Sequence, residues 1–195
     1  MTGTVKLLIV DMDGTLVNTY AVNYFAYHEA LNVYGIPLEM QFYREKCNGR
    51  SYKDFLPSIL IDGGILENDL YQIMEDVHRL KKDAYPKYMK KAILNQHLVS
   101  IIRALRNIYK ISLVTTASKE NCEQLLEYFG IRNHFDYLVT REDVTESKPS
   151  PEGFIKVMKH FGAEAKDTVI FEDSEVGKMA ALQATSNVYM TYGYK

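Results

Sequence analysis

Leu7-Leu8-Ile9-Val10-Asp11-Met12-Asp13-Gly14-Thr15-Leu16 is the stretch that decides how this chain is read. Four apolar residues in a row describe a buried strand. The run stops at two aspartates one residue apart, followed by Gly-Thr. In open α/β sheets, ligands bind outside the carboxyl ends of the strands, which is where these acids fall. Two carboxylates so close repel each other unless a cation or a proton offsets their charge. A strand running into an Asx-type turn would explain this string alone, but further strands end in polar residues later in the chain.

Bulk properties narrow the classes. The 195 residues fit one domain, or one domain carrying a sizeable insertion. With 47% apolar and 25% charged residues the composition is globular. A net charge of −2 without a basic stripe disfavours nucleic acid as a partner. No segment has the length and apolarity to span a bilayer, so no membrane association is expected. Nothing resembles a signal peptide, since the first apolar run is short and ends in acids. The two cysteines, Cys47 and Cys122, lack metal-ligand spacing and point to a reducing, cytoplasmic setting. Oligomeric state is left open.

Periodicity then divides the chain. Tyr20, Tyr24, Tyr27, Leu31 and Tyr34 recur at helical spacing until Gly35-Ile36-Pro37. Ser51 and Asp54 form a capping-box pattern ahead of Phe55, Leu56, Ile59 and Leu60, with Pro57 as a kink or break. A stripe of Leu70, Ile73, Met74, Val77 and Leu80 predicts another helix, ended by Pro86 at the latest. Residues 17–91 therefore read as a helical segment without strands. From residue 92 onward, helices alternate with strands expected at 111–115, 137–140, 168–171 and 188–190, the pattern of βαβ units and a parallel sheet. The expected architecture is α/β: a Rossmann-like core of residues 1–16 and 92–195 with an inserted helical domain at 17–91.

Residues 11–19, Asp-Met-Asp-Gly-Thr-Leu-Val-Asn-Thr, resemble the first motif of the haloacid dehalogenase superfamily, DxDGT/V. Three further motifs follow in that superfamily's order. They are an apolar strand ending at Thr115-Thr116, Lys148-Pro149-Ser150-Pro151, and Glu172-Asp173-Ser174-Glu175-Val176-Gly177. The resemblance covers nearly the whole chain. It is strongest to the cap-bearing branch that includes β-phosphoglucomutase, phosphoglycolate phosphatase and phosphatases of small phosphorylated metabolites. It implies a Rossmann-like core beneath a small helical cap, and a magnesium-dependent hydrolase acting through an aspartyl-phosphate. Many relatives continue past the strand at Tyr189 with a further strand and helix, which this chain does not show.

The resemblance also implies roles. Asp11 is the expected nucleophile, since carboxylates form acyl-phosphates. Asp13 is the expected general acid and then base, and its main-chain carbonyl a metal ligand. Haloacid dehalogenases themselves lack this second acid, so Asp13 favours phosphate chemistry. Thr115, with Thr116 as the alternative and as an amide donor, would hold phosphoryl oxygens. Lys148, beside two prolines that stiffen its loop, would neutralise those oxygens and Asp11. Asp11 and Asp173 are expected as direct magnesium ligands, because hard cations prefer oxygen donors. Glu172 is expected to act behind them or through water. Ser118 reads as a helix cap, and the five histidines as ordinary residues.

The loop Asn48-Gly49-Arg50-Ser51-Tyr52-Lys53 matches the cap segment that faces the active site in relatives, which makes Arg50 and Lys53 candidate substrate contacts. Both also fit a helix start with two solvated cations. β-Phosphoglucomutase carries an arginine at the position of Tyr52 and a histidine at that of Asn23, and this chain has neither. The reading is therefore a phosphatase of a small sugar, polyol or amino-alcohol phosphate. A phosphosugar mutase and a non-catalytic phospho-ligand-binding module are the alternatives.

Overall fold

The structure is a computed structural model that describes residues 6–48 and 50–192. The chain forms two compact units, one of residues up to Asn18 together with those from Ile93 onward, the other spanning Thr19–Ala92.

The first unit is built on a five-stranded parallel sheet. Its strands are β1 (Leu7–Asp11), β4 (Lys110–Val114), β5 (Tyr137–Val139), β6 (Thr168–Glu172) and β7 (Val188–Met190), in the order β5-β4-β1-β6-β7. All five residues of β1 are buried, as a central strand flanked on both edges and both faces requires. Residues Leu7–Asp11 pair in register with Lys110–Val114 on one side, and Leu7–Val10 with Thr168–Phe171 on the other. The chain builds outward from β1 through β4 to β5, then returns to the far side with β6 and β7. The order thus reverses between β1 and β6, and at such a switch point an open crevice forms at the carboxyl ends.

The crossovers are α5 (Gln96–Leu105), α6 (Lys119–Tyr128), α7 (Glu152–Phe161) and α8 (Glu175–Leu182). Each begins or ends for a visible reason. Asn95 accepts from the Leu98 amide, Ser118 from that of Asn121 and Ser174 from that of Gly177, each satisfying a helix-start donor. Gly162 ends α7 in the left-handed conformation. Phe154 and Val157 of α7 and Ala180 and Ala181 of α8 pack on Leu7, Ile9 and Ile170 to form the core of one sheet face.

Val17–Asn18 is a short strand, β2, antiparallel to β3 (Ile93–Leu94). The helical segment expected from residue 17 instead begins at Tyr20, after this strand. Val17 is fully buried and pairs with Leu94 across the two ends of the insertion.

The second unit contains α1 (Tyr20–Asn32), α2 (Met40–Phe42), a π-turn at Tyr43–Cys47, α3 (Tyr52–Asp62) and α4 (Glu67–Tyr88), and no strand among its described residues. Tyr24, Tyr27, Leu31, Tyr43, Phe55, Leu56, Leu60 and Val77 form its core. The tyrosine stripe is therefore packing: the Tyr27 and Phe55 rings meet edge-on at 5.2 Å. Tyr34 lies beyond α1 and donates its hydroxyl to Asp76 at 2.6 Å. Pro57 falls within α3, which runs on unbroken, and α4 continues two residues past Pro86. In that last turn a missing N–H costs a single bond. Ser51 caps α3 through the Lys53 amide, not that of Asp54.

Candidate active site

The carboxyl ends of β1 and β6 bring three carboxylates together. One oxygen from each of Asp11, Glu172 and Asp173 lies within 4.8 Å of the others. Asp11 is the last residue of β1 and Glu172 the last of β6, so strand register sets their separation. Lys148, from the loop before α7, donates its ammonium to Asp11 Oδ1 at 2.5 Å and also to Glu172 Oε1. The side chains of this triad are nearly dry, at 10% exposure for Lys148, 8% for Asp11 and 1% for Glu172.

Glu172 is held by more than the lysine. Its Oε2 accepts from the amides of Asp173 (3.0 Å) and Ser174 (3.1 Å) and from the Ser174 hydroxyl (3.1 Å). Both oxygens are thus occupied by donors. Glu172 aims Lys148 and ties down the turn into α8. Asp173 is oriented differently, with its Oδ1 accepting the Thr15 hydroxyl at 2.9 Å.

Two glycines make room for these acids. A Cβ on Gly177 would sit 1.9 Å from Glu172 Oε1, and one on Gly14 would sit 2.1 Å from Asp173 Oδ2. Gly14 also has φ +94°, a backbone region that L side chains rarely adopt.

Charge is unbalanced here. Burial pushes the Asp11 carboxyl from its ordinary 3.8 up to about 7; Lys148 opposes this, while Glu172 and Asp173 add to it. Burial also drives Asp173 up to about 6, against the Thr15 hydrogen bond and with Glu172 adding. Burial alone would depress the Lys148 ammonium, but Asp11 and Glu172 outweigh it and raise its pKa. One ammonium thus serves a nest of three acids, and the pocket favours a further positive charge. All the donors are hard oxygens, which suits a divalent cation such as magnesium.

Thr115 lies one residue past β4, not in it. Its amide donates to Val139 O, and its hydroxyl accepts from the Ala117 amide at 3.0 Å while donating to Asp13 Oδ2 at 3.4 Å. Asp13 is therefore linked to Thr115, and its carboxylate stands outside the three-acid cluster. Thr115, Thr116, Glu146, Ser147 and Lys148 line one small recess. Arg50 and Lys53 belong to the other unit and are exposed; Arg50 donates to Lys46 O at 3.1 Å, and the Lys53 ammonium sits 5.8 Å from the Tyr52 ring centre. Gly49 of that loop lies outside the described residues. The sequence assigns no role to Thr15, Ser174, Gly14 or Gly177. The only signals were Gly-Thr after the second aspartate and Ser-x-x-Gly at the start of α8.

A sequence profile of haloacid dehalogenase-like hydrolases matches residues 8–191. The chain belongs to that family. Among its relatives is a phosphorylated carbohydrates phosphatase of Thermotoga maritima, 26% identical over 92% of this chain and 81% of that protein. Another is the fructose-1-phosphate phosphatase YqaB of Escherichia coli, 29% identical over 91% of each chain. Of solved structures, CbbY from Rhodobacter sphaeroides in complex with phosphate is similar at a TM-score of 0.81 and 25% identity, covering 97% of this hydrolase and 87% of CbbY. The hydrolase shares the fold of CbbY, and among the described residues no helix is long and apolar enough to cross a membrane.

Proposed function

We propose that this hydrolase is a magnesium-dependent phosphatase of small phosphorylated metabolites, phosphorylated carbohydrates first among them. The observation that carries the reading is the dry Asp11–Lys148 pair at the end of β1, set among two further carboxylates.

Asp11 is the nucleophile in this reading. One carboxylate oxygen forms a bond to phosphorus as the ester P–O bond breaks, and the departing oxygen takes the Asp13 proton. Asp13 then accepts a proton from water as that water's oxygen attacks the phosphorus and frees Asp11. The Thr115 hydroxyl, which already bonds Asp13, sits beside the proton donor and can turn toward a phosphoryl oxygen. Lys148 spreads positive charge over the phosphoryl oxygens, and the Thr116 amide is a second donor. Asp11, Asp173 and the Asp13 main-chain carbonyl would hold magnesium. When bound, the ion supplies positive charge at the phosphoryl oxygens. The second unit, residues 19–92, is the cap in this reading, with Arg50 and Lys53 as its candidate substrate contacts.

Phosphatase is favoured over mutase at Tyr52. Its hydroxyl donates to Glu75 at 2.9 Å and its ring stacks on His78 at 3.8 Å, so it serves packing within its own unit. The relatives named for phosphorylated carbohydrates support the substrate class.

The test is phosphate release from sugar, polyol and amino-alcohol phosphates, with β-glucose 1-phosphate and a bisphosphate primer alongside. Release from a small ester, silenced by EDTA and restored by magnesium, is expected. Isomerisation without release would establish a mutase. Silence on every ester would leave a binding module.

A further inference from the structure

Asp173 is the least enclosed of the three clustered acids, and it is the one held from the opposite strand end. Thr15 is fully buried, and its hydroxyl spans the gap from the β1 turn to Asp173 Oδ1 at 2.9 Å. Directly before it, Gly14 leaves the space that Asp173 Oδ2 fills: a Cβ there would lie 2.1 Å from Oδ2 and 2.6 Å from the carboxyl carbon. Gly14 and Thr15 therefore touch both oxygens of a single carboxylate, one by vacating space and the other by donating a proton.

We infer that Gly14 and Thr15 form a cradle that sets the orientation of the Asp173 carboxylate, and that Thr15 is a positioning residue for cation binding. The inference rests on the proposed magnesium reading and deepens it. A carboxylate on a side chain with two free torsions would otherwise rotate away from Asp11 to relieve repulsion, since like charges at this spacing are unfavourable. The donor at Oδ1 and the space beside Gly14 that Oδ2 occupies together oppose that rotation. Residues that orient metal ligands without touching the metal typically change affinity 10- to 100-fold when removed. The cradle also couples the strands: Thr15 follows β1 and Asp173 follows β6, so the bond ties the two sides of the switch point.

The test is isothermal titration of magnesium into the full-length, chelator-stripped protein, with thermal melts in the same metal-free buffer. Thr15→Ser keeps the hydroxyl and Thr15→Ala removes it, while both leave the same space where the methyl group stood. Magnesium affinity about tenfold weaker in T15A than in T15S, with T15S within about threefold of the parent, is expected. Gly14→Ala, which pushes the carboxylate aside, is expected to lose at least as much affinity as T15A. Equal affinities for T15S and T15A would overturn the cradle while leaving the metal reading intact. A flat titration of the parent protein would overturn the metal reading and the cradle with it.

Discussion

Replacing Gly177 by alanine pits two physical effects against each other. Gly177 lies inside α8, where helix propensity alone makes Gly→Ala stabilising by about 1 kcal/mol. The structure predicts the opposite sign. The new Cβ would fall 1.9 Å, 2.0 Å and 2.2 Å from Oε1, Cδ and Oε2 of Glu172. Three atoms of one carboxylate would then be far inside contact distance, so the whole group must move. Moving it breaks the bonds from Lys148, the Asp173 and Ser174 amides, and the Ser174 hydroxyl. Disrupting a buried ion pair and leaving its charge without partners costs about 3–5 kcal/mol. Subtracting the propensity gain leaves a net loss of about 2–4 kcal/mol. The loss is expected as a lower urea midpoint at unchanged slope. Phosphate release should fall at least about a hundredfold, because Lys148 loses the acid that aims it. Truncating the acid in the same chain separates the causes: Glu172→Ala removes the clashing group, so adding Gly177→Ala to that background should cost nothing further. A G177A protein as stable and as active as its parent would refute the steric reasoning.

Other expectations follow from single groups. Lys148→Met removes the ammonium paired with both Asp11 and Glu172; it should lower stability by about 3–5 kcal/mol in urea titrations and cut kcat by about 10²–10³. Ser112 carries a fully buried hydroxyl with no hydrogen-bond partner, so Ser112→Ala should raise the unfolding free energy by about 1 kcal/mol, read as a higher urea midpoint at unchanged slope. Burial, reinforced by Lys81, pushes His78 down to about 4 from its ordinary 6.5. The unfolded chain therefore takes up this proton first, and the stabilising contribution of neutral His78 is present above 6.5 and lost as pH falls through 4. Partial exposure limits it to about 1–2 kcal/mol. His78→Gln should flatten that part of the pH–stability curve, and an unchanged slope between pH 6.5 and pH 4 would remove His78 as its source.

Much of the framework was legible because strand and helix leave different periods. β1 reads as a continuous apolar run since it is covered on both faces, and β7 sits at residues 188–190 as its short apolar pattern indicates. Ser118 could be read as a cap because a polar side chain before an apolar repeat has few other uses. Val17–Asn18 could not, since two residues carry no period; only pairing with Ile93–Leu94 makes them a strand. Pro86 misled for a related reason, as the cost of proline depends on where in a helix it falls.

Sequence alone determined the family, the order of the five sheet strands and the helices between them, and which polar residues stand at strand ends, because those follow from local pattern and chain order. It placed Asp11, Lys148 and the pair Glu172-Asp173 in three separate motifs, and paired Lys148 with Asp11 only through the family resemblance. Tertiary structure decided that Lys148 bridges Asp11 and Glu172, that Thr15 reaches Asp173 across 158 positions, and that Gly14 and Gly177 vacate the space for two carboxylates. Except for Gly177 and Glu172, five positions apart, these contacts join residues far apart in the chain, brought together at the carboxyl ends of β1 and β6. No local periodicity encodes a distance across strands.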